Sequence, residues 1–113
     1  MTDQISRALP PPVFHILISL ADGERHGYAI MQEVAERTAG KLKLSPGNLY
    51  GSIKRMLEDG LIEEVQQRSG DDDERRRYYR MTKAGRKAAA EEMDRLSSLL
   101  RQARATSLRS DRA

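Results

Sequence analysis

The sequence predicts a mainly α-helical fold with a small β-hairpin, continued by one long carboxy-terminal helix. Three observations lead to this fold class. Three segments with helical periodicity occupy the amino-terminal half, each with start and stop signals. Two short segments rich in β-branched and aromatic residues follow, separated by turn-forming residues. An alanine-rich segment that strongly favours helix comes last.

The composition limits the size of the domain and the kinds of site it can hold. The 113 residues have room for one domain, and 38% of them are hydrophobic, which is enough for a small core. Cysteine is absent, which excludes disulfides, thiol nucleophiles and cysteine-based metal sites. The formal charge of +3 suits a polyanionic partner without identifying one. No apolar run approaches the roughly 18 residues of a membrane span, so we expect a soluble, cytoplasmic protein that does not contact a membrane.

The boundaries of the first two helices can be placed from prolines, glycines and apolar spacing. Pro11 or Pro12 suits the first turn of a helix, because proline presets φ and needs no backbone donor there. The residues that follow are apolar on nearly all sides, which places this helix deep in the core until Asp22-Gly23 ends it. The second helix is predicted to begin around His26-Gly27 and to close at Ala39-Gly40.

The third helix is predicted to run from Ser45 to about Asp59. The serine hydroxyl suits an N-cap, and Pro46 suits the first helical position. Apolar residues at i, i+4, i+7 and i+8 define its buried face, namely Leu49, Ile53, Met56 and Leu57. The opposite face then carries Gly47, Asn48, Gly51, Lys54, Arg55 and Glu58, flanked by Tyr50 and Ser52.

The remaining elements are two short strands and a final helix. The strands are predicted at Leu61 to Gln67 and at Arg76 to Met81, and Thr82 should cap a helix that continues to about Ala105. We therefore expect a winged helix-turn-helix domain over residues 1–81, a dimerisation helix over 82–106 and a disordered tail over 107–113.

Charge is distributed unevenly around the third helix. Between Gly40 and Leu57 there are four basic residues and no acidic ones, although acidic residues are frequent elsewhere. In a winged helix-turn-helix the third helix lies in the major groove of double-stranded DNA. The predicted DNA contacts of this helix are Ser45, Gly47, Asn48, Tyr50, Lys54 and Arg55. The alternative is that Lys54 and Arg55 belong to an ordinary solvated helix face.

Arginines bracket the loop of the predicted hairpin. Four of them are predicted to bind phosphates as a wing, namely Arg68, Arg75, Arg76 and Arg77. The tip, residues 71–74, is acidic and would be repelled by DNA, so we expect the strand ends to make the contacts. The alternative is a solvated turn whose arginines form internal salt bridges. The tip lacks the spaced ligands and the glycine of a calcium loop, and no metal or cofactor is predicted.

The final helix carries an apolar seam with the spacing of a coiled coil. The seam consists of Ala89, Met93, Leu96, Leu99, Leu100 and Ala103. Because so short a seam is marginal in isolation, we predict that it pairs with the same helix of a second subunit, with help from the first helix. The alternative is a helix folded back on its own domain.

Four motifs occur in an order that resembles the PadR family of bacterial transcriptional regulators, specifically its members with a short carboxy-terminal region. The motifs are His26-Gly27-Tyr28, Leu44 to Tyr50, Gly60-Leu61-Ile62 and Arg77 to Gly85, and the resemblance runs from about Val13 to Leu100. It implies a homodimer that binds a roughly palindromic operator, usually as a repressor, through a dimer contact in the final helix. Ser45, Asn48, Tyr50 and Lys54 or Arg55 fall where the family's recognition helix meets DNA.

The chain departs from that family at two points. Gly51 stands where proline is common after the tyrosine, which would loosen the start of the helix. With no tryptophan and one phenylalanine, Phe14, the flat aromatic drug pocket of some relatives is not carried over. Family members sense small molecules, so a small-molecule effector remains open, but no residue pattern here specifies one.

Two other classes of function compete with DNA binding. An enzyme is not predicted, because His15 and His26 have neither a cysteine nor a spaced set of carboxylates to work with, and both are expected to be structural. A winged-helix adaptor that binds another protein without touching DNA is the alternative, because a fold alone does not establish a function.

Overall fold

The computed structural model describes residues 8–65 and 77–108. The helices are α1 (Pro11–Ser19), α2 (Gly27–Arg37), α3 (Pro46–Glu58) and α4 (Lys83–Arg104), and the strands are β1 (Arg25–His26), β2 (Ile62–Val65) and β3 (Tyr78–Met81). The predicted fold class is confirmed, because three short helices and a small antiparallel sheet precede one long helix. Within the described ranges, no helix combines the length and the apolar character that crossing a membrane requires.

Three of the four described helices begin at a residue whose side chain caps the backbone. The His26 imidazole accepts a hydrogen bond from the Ala29 N–H at 3.1 Å, which caps α2. Ser45 caps α3, and Thr82 caps α4, each through its hydroxyl oxygen. The fourth, α1, begins at a proline and has no side-chain cap. The helix starts predicted at Ser45 and Thr82 are therefore confirmed.

The sheet contains a strand that the sequence reading missed. β1 pairs antiparallel with β3, so that Arg25 lies opposite Tyr79 and His26 opposite Tyr78, and the strand order is β1-β3-β2. The predicted order of helix, helix, helix, strand, strand and helix is wrong on this point. A strand of two residues is too short to show the alternating pattern on which strand prediction depends. Its pairing is a tertiary contact, supported by the edge-to-face packing of the His26 and Tyr78 rings at 5.3 Å.

The two predicted strands are present, and each begins later in the chain than expected. Ile62 pairs with Met81 and Val65 with Tyr78 in an antiparallel register. Leu61 was predicted to open the first of these strands but lies just before β2. The loop between residues 65 and 77 lies outside the described residues.

The core lies where α1 packs against α2, α3 and α4, and α3 packs against β2. Its buried hydrophobic residues are Val13, Ile16, Leu17, Leu20, Ile30, Val34, Leu44, Leu49, Ile53, Met56, Ile62 and Tyr79. This confirms that α1 lies deep in the domain, as its continuous apolar character predicted.

A close backbone approach joins α4 to the entry of the hairpin. The Leu61 carbonyl accepts the Thr82 N–H at 3.0 Å, and the Thr82 hydroxyl donates to the Gly60 carbonyl at 2.6 Å. A Cβ at Gly85 would overlap that Leu61 carbonyl oxygen, so only glycine leaves room for the first turn of α4. The two sequence motifs on either side of the hairpin therefore meet at one junction.

Glu92 of α4 is a buried carboxylate, 4% exposed. It accepts hydrogen bonds from the Leu9 N–H at 3.2 Å and from the Arg95 guanidinium at 2.6 and 3.0 Å. The Arg95 hydrogen bond lowers the pKa of Glu92, against the opposing effect of burial, and the Leu9 hydrogen bond lowers it further. This contact fixes the segment that leads into α1 against α4.

We expect Glu92→Gln to lower the free energy of unfolding by about 2 kcal/mol at pH 7, because charge-assisted hydrogen bonds contribute roughly that much. A carboxylate whose pKa is depressed in the folded state contributes stability above its unfolded pKa, and this stability is lost as the pH falls through the folded value. The difference from wild type should therefore shrink as the pH falls below about 4. Urea unfolding between neutral and acidic pH measures it.

The control for this measurement is Glu91→Gln, which removes an exposed carboxylate from the same helix. It should leave stability within about 0.5 kcal/mol of wild type. A deficit in Glu92→Gln that stayed constant into acid would show that the carboxylate charge is not what holds Leu9 in place.

Candidate nucleic-acid interface

The helix α3 buries the face that its apolar spacing predicted. Leu49, Ile53 and Met56 are buried beneath it. The opposite side is exposed and carries Ser45, Gly47, Asn48, Tyr50, Gly51, Lys54 and Arg55. The structure therefore brings six of the predicted DNA-contacting residues together on one surface, which we call the α3 face.

The amino terminus of α3 is shaped by its cap. The Ser45 hydroxyl oxygen accepts the Asn48 N–H at 3.1 Å, so this oxygen already satisfies one of the free donors of the first turn. No acidic residue stands in that turn, and the helix dipole adds partial positive charge there. Cβ atoms at Gly47 and Gly51 would meet nothing within 4 Å, so the surface in front of both glycines is open. A phosphate or a base edge can therefore approach the backbone closely.

Four exposed cations surround the α3 face. Lys41 and Lys43 lie on the connection before α3, and Lys54 and Arg55 lie on the helix itself. In residues 8–65 and 77–108, none of the four forms an ion pair with a carboxylate. Their charge is therefore balanced by solvent and salt, which a polyanion can displace.

The wing differs, because its described arginines are paired across the strands. Arg77 lies 3.7 Å from Glu64, and Arg80 lies 2.7 Å from Glu63. The hydrogen bond from Arg80 to Glu63 raises the pKa of Arg80. Sequence reasoning assigned Arg77 to phosphate binding and did not identify the pairing of Arg80. Arg68, Arg75 and Arg76 and the acidic tip lie outside the described residues, so the structure does not locate the rest of the predicted wing.

Tyr79 is the buried residue of β3 beneath this charged surface. Burial raises the pKa of its hydroxyl, and the nearby Glu64 carboxylate and Tyr50 hydroxyl raise it further, against the opposing effect of Arg77. Tyr79 is therefore uncharged at neutral pH and serves as packing between the sheet and α3. It carries none of the charge of the α3 face.

A groove of about 580 Å³ borders the α3 face. One wall comes from the segment that leads into α1, through Leu9, Pro10 and Val13, and the other comes from α3, including Gly51 and Arg55. Sequence reasoning did not identify this groove, because its walls are far apart in the chain. Glycines on one side of an amphipathic helix are the signal that could have indicated an open surface there.

The predicted dimerisation seam on α4 divides into two parts. Ala89 packs against the core of its own domain, and Ala103 is half-buried. Between them, four large apolar side chains are between 39% and 61% exposed, namely Met93, Leu96, Leu99 and Leu100. The start of α4 is thus held by its own domain, whereas the later turns present an uncovered apolar stripe.

The fold itself uses His26, which caps α2 and packs against Tyr78. His15 is half-buried within α1. Within the described ranges, no three histidine, aspartate or glutamate side chains come together as a metal site would need.

The comparisons with known proteins agree with this architecture. Residues 16–91 match the family described as the transcriptional regulator PadR-like family. A protein of Mycobacterium tuberculosis, the transcriptional regulator Rv3488, is 39% identical over 88 residues, which is 78% of each chain.

Two solved structures share the fold. A transcriptional regulator from Clostridium thermocellum superposes with a TM-score of 0.72 at 24% identity, over 82% of this chain and 89% of that chain. Bacillus subtilis PadR, solved in complex with operator DNA, superposes with a TM-score of 0.65 at 21% identity, over 74% of this chain and 48% of that chain. Taken with the family match and the Mycobacterium tuberculosis relative, the conclusion is plain: the chain belongs to the PadR-like family of transcriptional regulators.

Proposed function

We propose that this regulator binds specific double-stranded DNA through the α3 face and represses transcription in the cytoplasm as a homodimer. The observation that carries the proposal is the group of four exposed cations around an acid-free helix end, none of which has a carboxylate partner among the described residues. Bacillus subtilis PadR, which shares the fold, was solved in complex with operator DNA, and this supports DNA as the partner.

The residues of the α3 face suit two kinds of contact. Ser45, Gly47 and the free N–H groups of the first turn suit phosphate, because the helix amino terminus is partly positive. Asn48 has the amide that pairs with adenine in the major groove, and Arg55 has the guanidinium that pairs with guanine. Tyr50 and Lys54 complete the surface. Arg77, with Arg68, Arg75 and Arg76, would bind the phosphate backbone of the DNA beside its major groove.

We expect the double substitution Lys54→Ala/Arg55→Ala to abolish retardation of a duplex that the wild-type protein has selected from a random-sequence library. The physical reason is the loss of two cations that release counterions from DNA. In dilute buffer, where residual binding can still be measured, the slope of log affinity against log salt should become shallower by about two per subunit, while the circular dichroism spectrum stays unchanged.

The matched control is Lys83→Ala/Lys87→Ala, which removes the same net charge from exposed positions on α4. It should retain the affinity and nearly all of the salt dependence. Equal losses in both double variants would indicate that net charge, and not the α3 face, determines binding. If the wild-type protein selects no duplex even in dilute buffer, the adaptor alternative replaces this proposal.

The homodimer is proposed from two uncovered apolar surfaces. Met93, Leu96 and Leu100 leave α4 with an exposed stripe, and Phe14 and Ile18 are only half-buried on α1, which packs against α4. Pairing α4 with the same helix of a second subunit would bury the stripe. This burial would stabilise the dimer by roughly 25 cal/mol for each Å² of apolar surface removed from water. In this arrangement residues 1–81 form the DNA-binding domain, residues 82–106 supply the dimer contact, and residues 107–113 remain as a tail.

We expect Leu96→Glu/Leu100→Glu to make the protein monomeric, because four carboxylates would face one another in the paired helices. Light scattering coupled to size exclusion measures the solution mass. The monomer should also lose most of its operator affinity, because a symmetric dimer reads two half-sites about one helical turn apart. Leu108→Glu is the control, since Leu108 is also an exposed leucine but lies beyond α4. A double variant that stayed dimeric would remove the seam from the interface.

A further inference from the structure

Tyr50 of the α3 face packs against the first residue of α2. Gly27 is buried at that position, and a Cβ built on it would overlap the Tyr50 hydroxyl oxygen and lie 2.9 Å from Cζ and 3.1 Å from Cε1. The phenol end of Tyr50 therefore occupies the space that a side chain at Gly27 would need. The rest of the ring remains accessible, since Tyr50 is 49% exposed.

The backbone conformation does not explain this glycine. Gly23, Gly40 and Gly60 have positive φ angles, which favour glycine, whereas Gly27 lies in helical geometry and has no positive φ. A helical φ is as accessible to alanine as it is to glycine. The Tyr50 ring is instead the group that a side chain at Gly27 would have to displace.

The position of Gly27 is itself fixed from the other side. The preceding residue, His26, pairs with Tyr78 in the sheet, packs edge-to-face on its ring and caps α2. Gly27 is therefore held between the sheet and α3. A side chain that packs against such a point has little rotational freedom.

We propose that Gly27 is a positioning residue for DNA binding, which holds the Tyr50 ring in one orientation on the α3 face. This inference rests on the function proposed above. Tyr50 and Lys54 share a side of α3 through their i,i+4 spacing, so a fixed Tyr50 ring lies beside another predicted DNA contact. A side chain that is ordered before binding loses less entropy on binding, and this increases affinity without adding a contact. The two sequence motifs that contain Gly27 and Tyr50 thus act as one unit.

The test is a double-mutant cycle with wild type, Gly27→Ala, Tyr50→Ala and the combined variant. The probe is the duplex selected by the wild-type protein, and affinity is measured at a temperature where circular dichroism shows each variant folded. Gly27→Ala should lose about tenfold in affinity, equivalent to about 1.4 kcal/mol, because its Cβ displaces the ring. Tyr50→Ala should lose at least as much, and the combined variant should bind no worse than Tyr50→Ala.

Two further measurements separate positioning from a general structural role. Gly27→Ala should leave the slope of log affinity against log salt unchanged, because no cation is lost, whereas a displacement of the whole of α3 would reduce it. A second background is Tyr28→Ala, which removes the exposed tyrosine next to Gly27. In this background, Gly27→Ala should lower the affinity for the duplex by the same factor as it does in wild type.

The outcomes against the inference are distinct from those against DNA binding. Wild-type affinity in Gly27→Ala, or independent losses that multiply in the combined variant, would overturn the positioning role while leaving the proposed function intact. Absence of wild-type binding would overturn both. If Gly27→Ala fails to fold, recovery of folding in the combined variant supports the contact, and failure of the combined variant to fold would show that Tyr50 is not the reason for the glycine.

Discussion

The burial of one side of α3 is the constraint on which the rest of the surface depends. Leu49, Ile53 and Met56 lie in the core, and each contributes roughly 1.5–3 kcal/mol when removed from water. Rotating the helix to hide Lys54 or Arg55 would expose these side chains and bury an unpaired cation, which costs still more. The rotation of α3 is therefore set by apolar packing alone. Lys54 and Arg55 receive their orientation as a consequence, whereas the Tyr50 ring also packs against Gly27 of its own domain.

The basic residues around α3 and those on the hairpin differ in whether a carboxylate neutralises them. The cations around α3 have no carboxylate partner in the described part of the chain, whereas Arg77 and Arg80 face Glu64 and Glu63 across the hairpin. Exposed ion pairs contribute about 0–1 kcal/mol, so a phosphate could replace such a carboxylate at little cost. The α3 face needs no such exchange. Among the described residues, the cations around α3 are therefore available to a polyanion without first giving up a carboxylate partner, whereas Arg77 and Arg80 are not.

What the sequence could predict depended on whether the signal was local. Ser45 and Thr82 reveal helix starts because a cap and its partner are three residues apart, and α3 reveals its buried face because apolar spacing is a property of one helix. Strand β1 was missed because two residues carry no period, and they pair with a strand about fifty residues later. The contacts of Glu92 with Leu9 and of Gly27 with Tyr50 were missed for the same reason. Each joins residues whose proximity arises only from packing.

The helix that is proposed to hold the dimer together contacts the segment before α1, and this segment borders the surface that is proposed to bind DNA. Glu92 holds the Leu9 backbone against the first half of α4, and Leu9 lines the groove that Arg55 borders on its other side. The later half of α4 presents the exposed apolar stripe. In a homodimer, the distance between the two α3 helices would then be set by how α4 packs on its own domain, because the pairing of the stripes fixes only one helix against the other. Since operator half-sites have a defined spacing, the contact of Glu92 with Leu9 would then matter for DNA binding in the proposed dimer, although Glu92 lies away from the α3 face.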